Sequence, residues 1–180
     1  MNLEVLQKDK YYHLFNRGIN RTNIFIDDEN KRYFLKLFKK HLSGKCELFA
    51  YCLMDNHFHF AVKIMDDPEN ITQAFSNFFN AYAKAFNKYT NRSGSLFEKH
   101  FRRIELVTEE YFKNLIIYIH QNPKSHFGLA IDQFQFSSYI DYLKSNNEII
   151  SVENGLSLFG DLDNFRFVHK QTTDYKDFTD

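Results

Sequence analysis

The amphipathic segment that follows Asp67-Pro68 constrains the fold more than any other part of the sequence. An acidic N-cap residue followed by proline is typical of a helix start, because the cap accepts backbone N–H groups and proline fits the first turn. Apolar residues then recur every three or four positions as far as Tyr89, which predicts one helix with a single buried face. The recurring positions are Ile71, Ala74, Phe75, Phe78, Phe79, Tyr82, Phe86 and Tyr89.

The segments around this helix predict further elements in the order β-α-β-β-α-β-α. Asp55-Asn56 is a tight-turn signal between two apolar runs, which predicts a hairpin. The first six elements match the split ferredoxin-like pattern. We therefore predict an α+β fold, a ferredoxin-like β-α-β-β-α-β antiparallel sheet with an added C-terminal helix that carries Tyr118. The predicted strands are 11–17, 47–54, 57–64 and 101–107, and the predicted helices are 27–42, 68–89 and 108–122, the last ending before Pro123.

The bulk composition fits one globular domain with a C-terminal extension. The chain has 180 residues, enough to bury a core. We predict the domain over residues 1–145 and an extension with an acidic tail over residues 146–180. The two cysteines, Cys46 and Cys52, form neither a disulfide framework nor a CxxC site. The sequence has no signal peptide and no apolar run of about 18 residues, so we expect a cytoplasmic protein without a membrane span.

Charge is distributed unevenly along a chain whose formal net charge is zero. A basic centre and an acidic tail cancel in the total but can leave a basic patch, a usual footprint of nucleic-acid binding. A solvated helix face is the alternative interpretation, and inhibition of the site by the tail is a further hypothesis. The basic residues are Lys84, Lys88, Arg92, Lys99, Arg102 and Arg103, and the last twenty residues hold Asp161, Asp163, Asp174, Asp177 and Asp180.

Two pairs of polar residues fall on predicted elements at spacings that place each pair on one face. His57 and His59 flank Phe58 on a strand, where alternate side chains share a face. Tyr118 and Asn122 are four residues apart on a helix and also share a face. If the strand and the helix pack together, two imidazoles, an amide oxygen and a phenol meet at one place.

This combination predicts a metal site beside a nucleophile. Neutral imidazoles bind divalent metals, and a weakly charged shell of two histidines and one amide leaves positions open for phosphate oxygens and water. The pKa of a free tyrosine is about 10, so the phenol needs a metal or a base beside it to act as a nucleophile. Attack on a phosphodiester would form a phosphotyrosine link that conserves the ester energy, and the reverse reaction could rejoin strands.

Each of these residues also has an ordinary interpretation when it is taken alone. An HxH pair in a strand is common by chance, a lone tyrosine on a helix is more often a core ring, and an asparagine before proline is more often a helix-end residue. Only the combination favours a site. Five further histidines are interpreted as structural: His13, His41, His100, His120 and His126.

Four motifs resemble those of the single-tyrosine HUH transposases, the IS200-like superfamily, and most closely their REP-associated branch. The resemblance extends over residues 11–143, with the motifs in the family's order. They are AYCLMDNHFHFAVKI at 50–64, GSLFEKHFRRI at 94–104, YIHQNP at 118–123 and SSYIDYL at 137–143.

The resemblance implies a role for each candidate residue. His57 and His59 match the metal-binding histidines, Asn122 matches the polar residue that completes the metal shell, and Tyr118 matches the catalytic tyrosine. The family cleaves and rejoins single-stranded DNA near short hairpins through a 5′-phosphotyrosine intermediate, with Mg²⁺ or Mn²⁺ and without ATP. Both monomers and homodimers occur among such proteins, so the oligomeric state stays open, as does the choice between a mobile-element enzyme and a host-domesticated one.

Candidate DNA contacts follow from charge and position. Lys84, Lys88 and Arg92 recur at nearly helical spacing and predict a basic strip for phosphates, without sequence readout. Phe97 is a candidate for stacking on an unpaired base, with a core role as the alternative. The remaining candidates are Asn16 and Arg17 at the end of the first strand, and Lys99, Arg102 and Arg103 near the fourth.

Two other functions remain open from the sequence. One is a domesticated hairpin-binding protein with little or no catalysis, against which the intact set of four site residues argues. The other is a metal-dependent hydrolase unrelated to DNA that uses a Zn²⁺-bound water. That hydrolase would need a third strong ligand or a general-base carboxylate near the histidine pair, and the sequence offers no obvious one.

Overall fold

The protein is described by a computed structural model, which covers residues 4–144, 148–171 and 178. Four strands form one sheet in the order β2-β3-β1-β4, and every neighbouring pair is antiparallel. This strand order and the chain order β-α-β-β-α-β confirm the predicted α+β fold. The elements are β1 Tyr11–Arg17, α1 Asp28–Leu42, β2 Cys46–Leu53, β3 His57–Ile64, α2 Pro68–Tyr89, β4 Arg102–Leu106, α3 Glu109–Phe127, α4 Tyr139–Lys144, α5 Val152–Phe159 and α6 Leu162–Lys170.

One face of the sheet is covered by α1 and α2 through packed aromatic rings. The ring of Phe34 on α1 lies 5.2 Å from that of Phe58 on β3, and Phe38 lies 5.0 Å from Phe60. Phe79 on α2 contacts the same Phe58 ring at 5.6 Å. Since strand side chains alternate, Phe58 and Phe60 in this core oblige His57 and His59 to face the other way.

The other face of the sheet is covered by α3. Phe112 near the start of this helix packs against Tyr11 and Phe49, and the helix contacts β2, β3 and β4. Thr108 caps the helix by accepting a hydrogen bond from the Tyr111 N–H. The third helix therefore docks on the histidine-bearing face.

The prediction that α3 ends before Pro123 is wrong. The helix continues through this proline to Phe127 and ends at Gly128, whose φ of 67° is left-handed. Proline removes only one helical N–H, and Pro123 lies in the buried part of α3, so packing offsets the local cost. The extra turn carries His126 beyond Asn122 on the same side of the helix.

The C-terminal helices pack around α3 and β2. His120 on α3 and His169 on α6 share a hydrogen bond of 2.8 Å inside the core, and Tyr142 on α4 donates to the carbonyl of Phe49. The aspartates of the predicted acidic tail at 174, 177 and 180 lie outside the described residues. Within the described residues, no helix combines the length and the apolar character needed to cross a membrane.

Candidate active site

The histidine pair and the tyrosine meet where β3 faces α3. The ring of Tyr118 lies 5.5 Å from the ring of His59, at an interplanar angle of 83°. The rings of His57 and His59 are 5.2 Å apart, edge to face. Two segments about sixty residues apart in sequence thus lie together, because the strand and the helix that carry them pack against each other.

Asn122 lies one helical turn beyond Tyr118 and carries an unsatisfied acceptor. Its Nδ2 donates to the carbonyl of Tyr118 at 3.0 Å. Its Oδ1 is buried and accepts no hydrogen bond from the described residues, in a side chain that is only 2% exposed. A buried carbonyl oxygen without a hydrogen-bond donor lowers the stability of the folded state by about 1–3 kcal/mol. Such groups are rare in native structures, so this one requires a reason. A bound cation would satisfy this oxygen.

Both histidines are held in the neutral form that binds metals. Burial, with the charge of His126 nearby, lowers the pKa of His57 to about 4, against a smaller opposing effect of the Asn122 side chain. Burial first, and then the neighbouring histidines, lower the pKa of His59 well below its ordinary value. At neutral pH each ring therefore keeps one nitrogen lone pair.

Hydrogen bonds occupy the same nitrogen, Nδ1, of each ring. His57 Nδ1 lies 2.7 Å from Asn56 Oδ1, and because a carbonyl oxygen only accepts, this nitrogen carries the proton. His59 Nδ1 lies 2.9 Å from Nε2 of His13 on the adjacent strand β1. Outer partners of this kind orient histidines that ligate metals. The nitrogen left for a ligand is Nε2 in both rings.

The residues at this place fit a divalent metal. The described residues include no cluster of three His, Cys, Asp or Glu side chains arranged to hold one. The candidate ligands are therefore limited to the two imidazoles of His57 and His59 and the unpartnered amide oxygen of Asn122. Two neutral imidazoles and one amide bring no negative charge. Such a shell suits a metal that shares its coordination sphere with water and the phosphate oxygens of a substrate.

An open cleft of about 310 Å³ adjoins these side chains, and none of the seven residues that line it is acidic. Arg21 reaches the cleft from the loop after β1, where Asn20 and Arg21 have φ angles of 54° and 59°. Two consecutive left-handed residues that are not glycine cost of order 1–3 kcal/mol each, and such strain concentrates at functional sites. The lining residues are Arg17, Arg21, Asn56, His57, His59, Tyr118 and His126.

Comparison with known proteins identifies the family. Residues 7–122 match the family described as "Transposase IS200 like". The chain belongs to the IS200-like transposases. It is accordingly a DNA transposase, a DNA-processing enzyme. No protein of curated function matches the sequence significantly.

A solved structure has the same fold as this IS200-like transposase. It is described as "Structure of the REP associates tyrosine transposase bound to a REP hairpin". The TM-score is 0.63, the sequence identity is 13%, and the match covers 85% of this chain and 89% of the other. At this identity the similarity concerns the fold, a sheet with helices on both faces.

His13 and His126, which are expected from the sequence to be structural, lie at the site of the transposase. His13 contacts His59, and the ring of His126 lies 5.1 Å from that of His57. His126 sits four residues beyond Asn122, so the i, i+4 spacing could have indicated it if the helix had been extended through the proline. His13 had no comparable local signal, because only the pairing of β1 with β3 brings it to His59.

Three of the predicted DNA contacts lie beside the cleft. Arg17 lines it and forms an ion pair with Glu98, with 2.7 Å between Arg17 Nε and Glu98 Oε1. Arg102 is exposed and lines a small adjoining pocket of about 30 Å³ with Arg17 and Asn16. Asn16 is buried, and its amide bonds to the carbonyl of Glu98 and to the Arg17 N–H. These three residues remain predicted contacts at the end of β1 and on β4.

The other predicted contacts lie away from the cleft. Lys84 and Lys88 are exposed on α2, which covers the opposite face of the sheet. Arg92 bonds to Asn87 and to the carbonyl of Ser95, which closes the loop after α2. The structure therefore does not bring the predicted basic strip to the histidine pair.

Phe97, Lys99 and Arg103 complete the set of predicted contacts. Phe97 is half-buried, and its ring lies 5.5 Å from that of Phe79, which is the core environment that the sequence left open as an alternative. Lys99 is exposed in the loop before β4. The Arg103 guanidinium lies 4.3 Å from the ring centre of Phe101, and one of its nitrogens donates to the carbonyl of Glu4.

A residue near the end of the chain covers part of the tyrosine. The ring of Phe178 lies 5.4 Å from the ring of Tyr118 and 4.7 Å from that of Tyr111. Phe178 is only 4% exposed. The phenol thus has an aromatic neighbour from the C-terminal region as well as His59.

Proposed function

We propose that this transposase is metal-dependent and cleaves and rejoins single-stranded DNA near hairpins through a 5′-phosphotyrosine intermediate. The observation that carries the proposal is the placement of Tyr118 beside two neutral histidines and a buried, unsatisfied Asn122 oxygen. The metal would be Mg²⁺ or Mn²⁺, held by His57, His59 and Asn122. When bound, it would polarise a phosphate oxygen and stabilise the charge that develops there.

The covalent step follows from the chemistry of the phenol. Tyr118 Oη gives up its proton and attacks the phosphorus of a phosphodiester, the bond from phosphorus to the 3′ oxygen breaks, and the 3′ oxygen takes up a proton and leaves as a hydroxyl. The 5′ phosphate stays on the tyrosine. Because one phosphodiester replaces another, a 3′-hydroxyl can reverse the step and rejoin a strand without ATP.

The substrate class follows from the charge of the cleft. Arg17, which pairs with Glu98, and Arg21 both line the cleft, and none of the described residues that line it is acidic, which favours a phosphate backbone over a neutral or cationic substrate. The solved structure of similar fold is described as bound to a REP hairpin, which supports a hairpin as the element recognised beside the cleaved strand.

A hairpin-binding protein with little catalysis is the second candidate. The Phe178 ring against Tyr118 favours it, because a covered phenol has less access to a phosphate. A hydrolase that uses a metal-bound water has less support, because no residue lining the cleft is a carboxylate that could act as general base.

An adduct assay tests the proposed chemistry. Labelled single-stranded oligonucleotides with hairpins are incubated with the protein and Mg²⁺ or Mn²⁺, and the products are run on a denaturing gel. We expect a covalent protein–DNA band that chelation removes and that Tyr118→Phe lacks. Tyr33→Phe, at an exposed tyrosine on α1, is the matched control and should keep the band.

The outcomes separate the candidates. A band that persists in Tyr118→Phe contradicts the tyrosine assignment. Hairpin binding without any adduct, with either metal and across many hairpins, favours the second candidate. DNA cleavage without an adduct, unaffected by Tyr118→Phe, favours a metal-bound water as the nucleophile.

A further inference from the structure

His13 is a fully buried polar residue whose only hydrogen bond in the described structure is to a histidine of the site. Its Nε2 lies 2.9 Å from His59 Nδ1, and the two ring planes are within 24° of each other. This geometry suits a hydrogen bond in the plane of both rings. Phe15 stacks on His13 at 4.4 Å and limits its rotation.

Only one proton can lie between these two nitrogens when both rings are neutral. If His59 donates, its proton is on Nδ1 and its Nε2 keeps the lone pair that a metal needs. If His13 donates, His59 carries its proton on Nε2 and cannot bind a cation there. The direction of this one hydrogen bond therefore decides whether His59 can act as a ligand.

We propose that His13 is a positioning residue for the metal site: it accepts a hydrogen bond from His59 Nδ1 and so holds His59 in the tautomer that presents Nε2 to a cation. The inference deepens the proposed function and depends on it only for the identity of the ligand. His13 does not touch the substrate, and its effect passes through His59.

The second ring nitrogen of His13, Nδ1, bears on which tautomer the pair adopts. His13 Nδ1 is buried and has no hydrogen-bond partner among the described residues. The tautomer that frees His59 Nε2 places a proton on that unpartnered nitrogen, and the other tautomer places a lone pair there. Neither tautomer satisfies all four ring nitrogens within the described residues, and a cation on His59 Nε2 would stabilise further the tautomer in which His13 accepts.

A second buried histidine pair shows the contrast. His169 Nδ1 donates to the carbonyl of Phe165, which leaves His169 Nε2 as an acceptor for His120 Nδ1. His120 Nε2 then accepts from the hydroxyl of Ser138. A carbonyl fixes every proton in that chain, whereas no carbonyl among the described residues bonds to His13 Nδ1.

The test measures the tautomer of His59 and the affinity for Mn²⁺ separately, at one neutral pH. Nitrogen-15 spectra of the histidine rings in the metal-free protein report which nitrogen of His59 is protonated, and calorimetry with Mn²⁺ alone gives the dissociation constant. His13→Phe keeps a ring of similar size but removes the acceptor, and His13→Gln supplies an amide oxygen that can accept. His41→Gln, on the opposite side of the sheet, is the control.

We expect His13→Phe to lower the Nδ1-protonated fraction of His59 and to weaken Mn²⁺ binding by roughly 10- to 100-fold. His13→Gln should restore both quantities at least in part, and His41→Gln should leave both unchanged. Circular dichroism and hairpin binding without metal should match the wild type in His13→Gln, which keeps the test valid if His13→Phe folds poorly.

Two results would overturn the assignment. One is an unchanged His59 tautomer in a folded His13→Phe protein, and the other is loss of Mn²⁺ binding in both variants while the tautomer stays that of the wild type. If the wild type binds no Mn²⁺ and forms no adduct, the proposed function fails, but the metal-free spectra of wild type and variants still decide whether His13 sets the tautomer.

Discussion

At the scale of single residues, the site keeps features that lower stability. Asn122 has a buried oxygen that accepts no hydrogen bond from the described residues, and Asn20 and Arg21 hold left-handed backbone conformations. A protein selected only for stability would lose such features, because each costs of order 1 kcal/mol or more. Arg21 lines the cleft and Asn122 lies one helical turn from Tyr118, which favours a functional reason for keeping these features.

The Asn122 oxygen leads to a prediction in which one substitution lowers activity without lowering stability. Asn122→Leu removes a buried polar group, and we expect the free energy of unfolding to stay equal or rise by about 1 kcal/mol, as measured by denaturant titration. The same change should abolish metal-dependent adduct formation. Asn122→Asp keeps an oxygen ligand and should retain the adduct. Full adduct formation by Asn122→Leu would remove Asn122 from the metal shell.

Arg21 gives a prediction about the DNA backbone. Arg21→Ala should weaken single-stranded DNA binding by a similar factor for all sequences and reduce the dependence of log affinity on log salt by about one unit, as expected for one lost phosphate contact. The test measures the affinity for single-stranded DNA at several salt concentrations between about 50 and 200 mM. Arg32→Ala, on α1, is the control. Equal salt dependence in the two variants would contradict the role of Arg21.

At the scale of elements, α3 connects the candidate site to the C-terminal helices. One side of this helix carries Tyr118 and Asn122 towards β3, and His120 on another side joins α6 through His169. The position of the tyrosine therefore depends on packing against both the sheet and the C-terminal helices. The buried histidine pair between α3 and α6 is neutral, and none of the described residues provides a charged partner to stabilise an added proton.

This pair predicts a loss of stability in acid. Burial lowers the pKa of His169 to about 4 and that of His120 well below its ordinary value. The unfolded chain then binds more protons than the folded protein below pH 6.5, so stability falls as the pH decreases from about 6.5 towards 4. For His169 alone the loss is about 3 kcal/mol over this window.

Denaturant titrations at pH 7.5 and at lower pH test this prediction. His169→Gln can still accept the hydrogen bond from His120 but does not titrate, so its stability should depend less on pH than that of the wild type. Parallel pH profiles for the two proteins would show that this histidine contributes no part of the acid sensitivity.

At the scale of the whole molecule, the C-terminal region reaches back to the site. Phe178 packs on Tyr118 and on Tyr111 near the other end of the same helix. The fold therefore places a residue from the end of the chain against the predicted nucleophile. The hypothesis that the aspartates of the tail inhibit the site concerns residues outside the described ones, but Phe178 offers a direct test of coverage.

We expect Phe178→Ala to raise the rate of adduct formation several-fold, because a phosphate then reaches the phenol more easily. Hairpin affinity should be unchanged, since the substitution adds no charge. Phe167→Ala, an exposed phenylalanine on α6, is the matched control. A rate equal to that of the wild type would mean that Phe178 does not limit access to Tyr118.

The fold and the shared faces of the four candidate residues could be predicted because that information is local. The alternation of HFHF on a strand assigns His57 and His59 to one face whatever the strand pairs with, and the i, i+4 spacing does the same for Tyr118 and Asn122. The order of elements then limits the sheet to few arrangements, and the ferredoxin-like order is the one observed.

Tertiary structure alone decided which other residues lie beside these four side chains. His13 reaches His59 because the register between β1 and β3 places His13 opposite Ala61, so that His59 is its diagonal neighbour on the same face of the sheet. His126 reaches His57 because packing carries α3 past Pro123, against the local preference of the sequence. Lys84 and Lys88 lie away from the cleft because α2 packs on the opposite face of the sheet. Periodicity fixes the face on which a side chain lies, but the partners of that face are set by long-range pairing and burial.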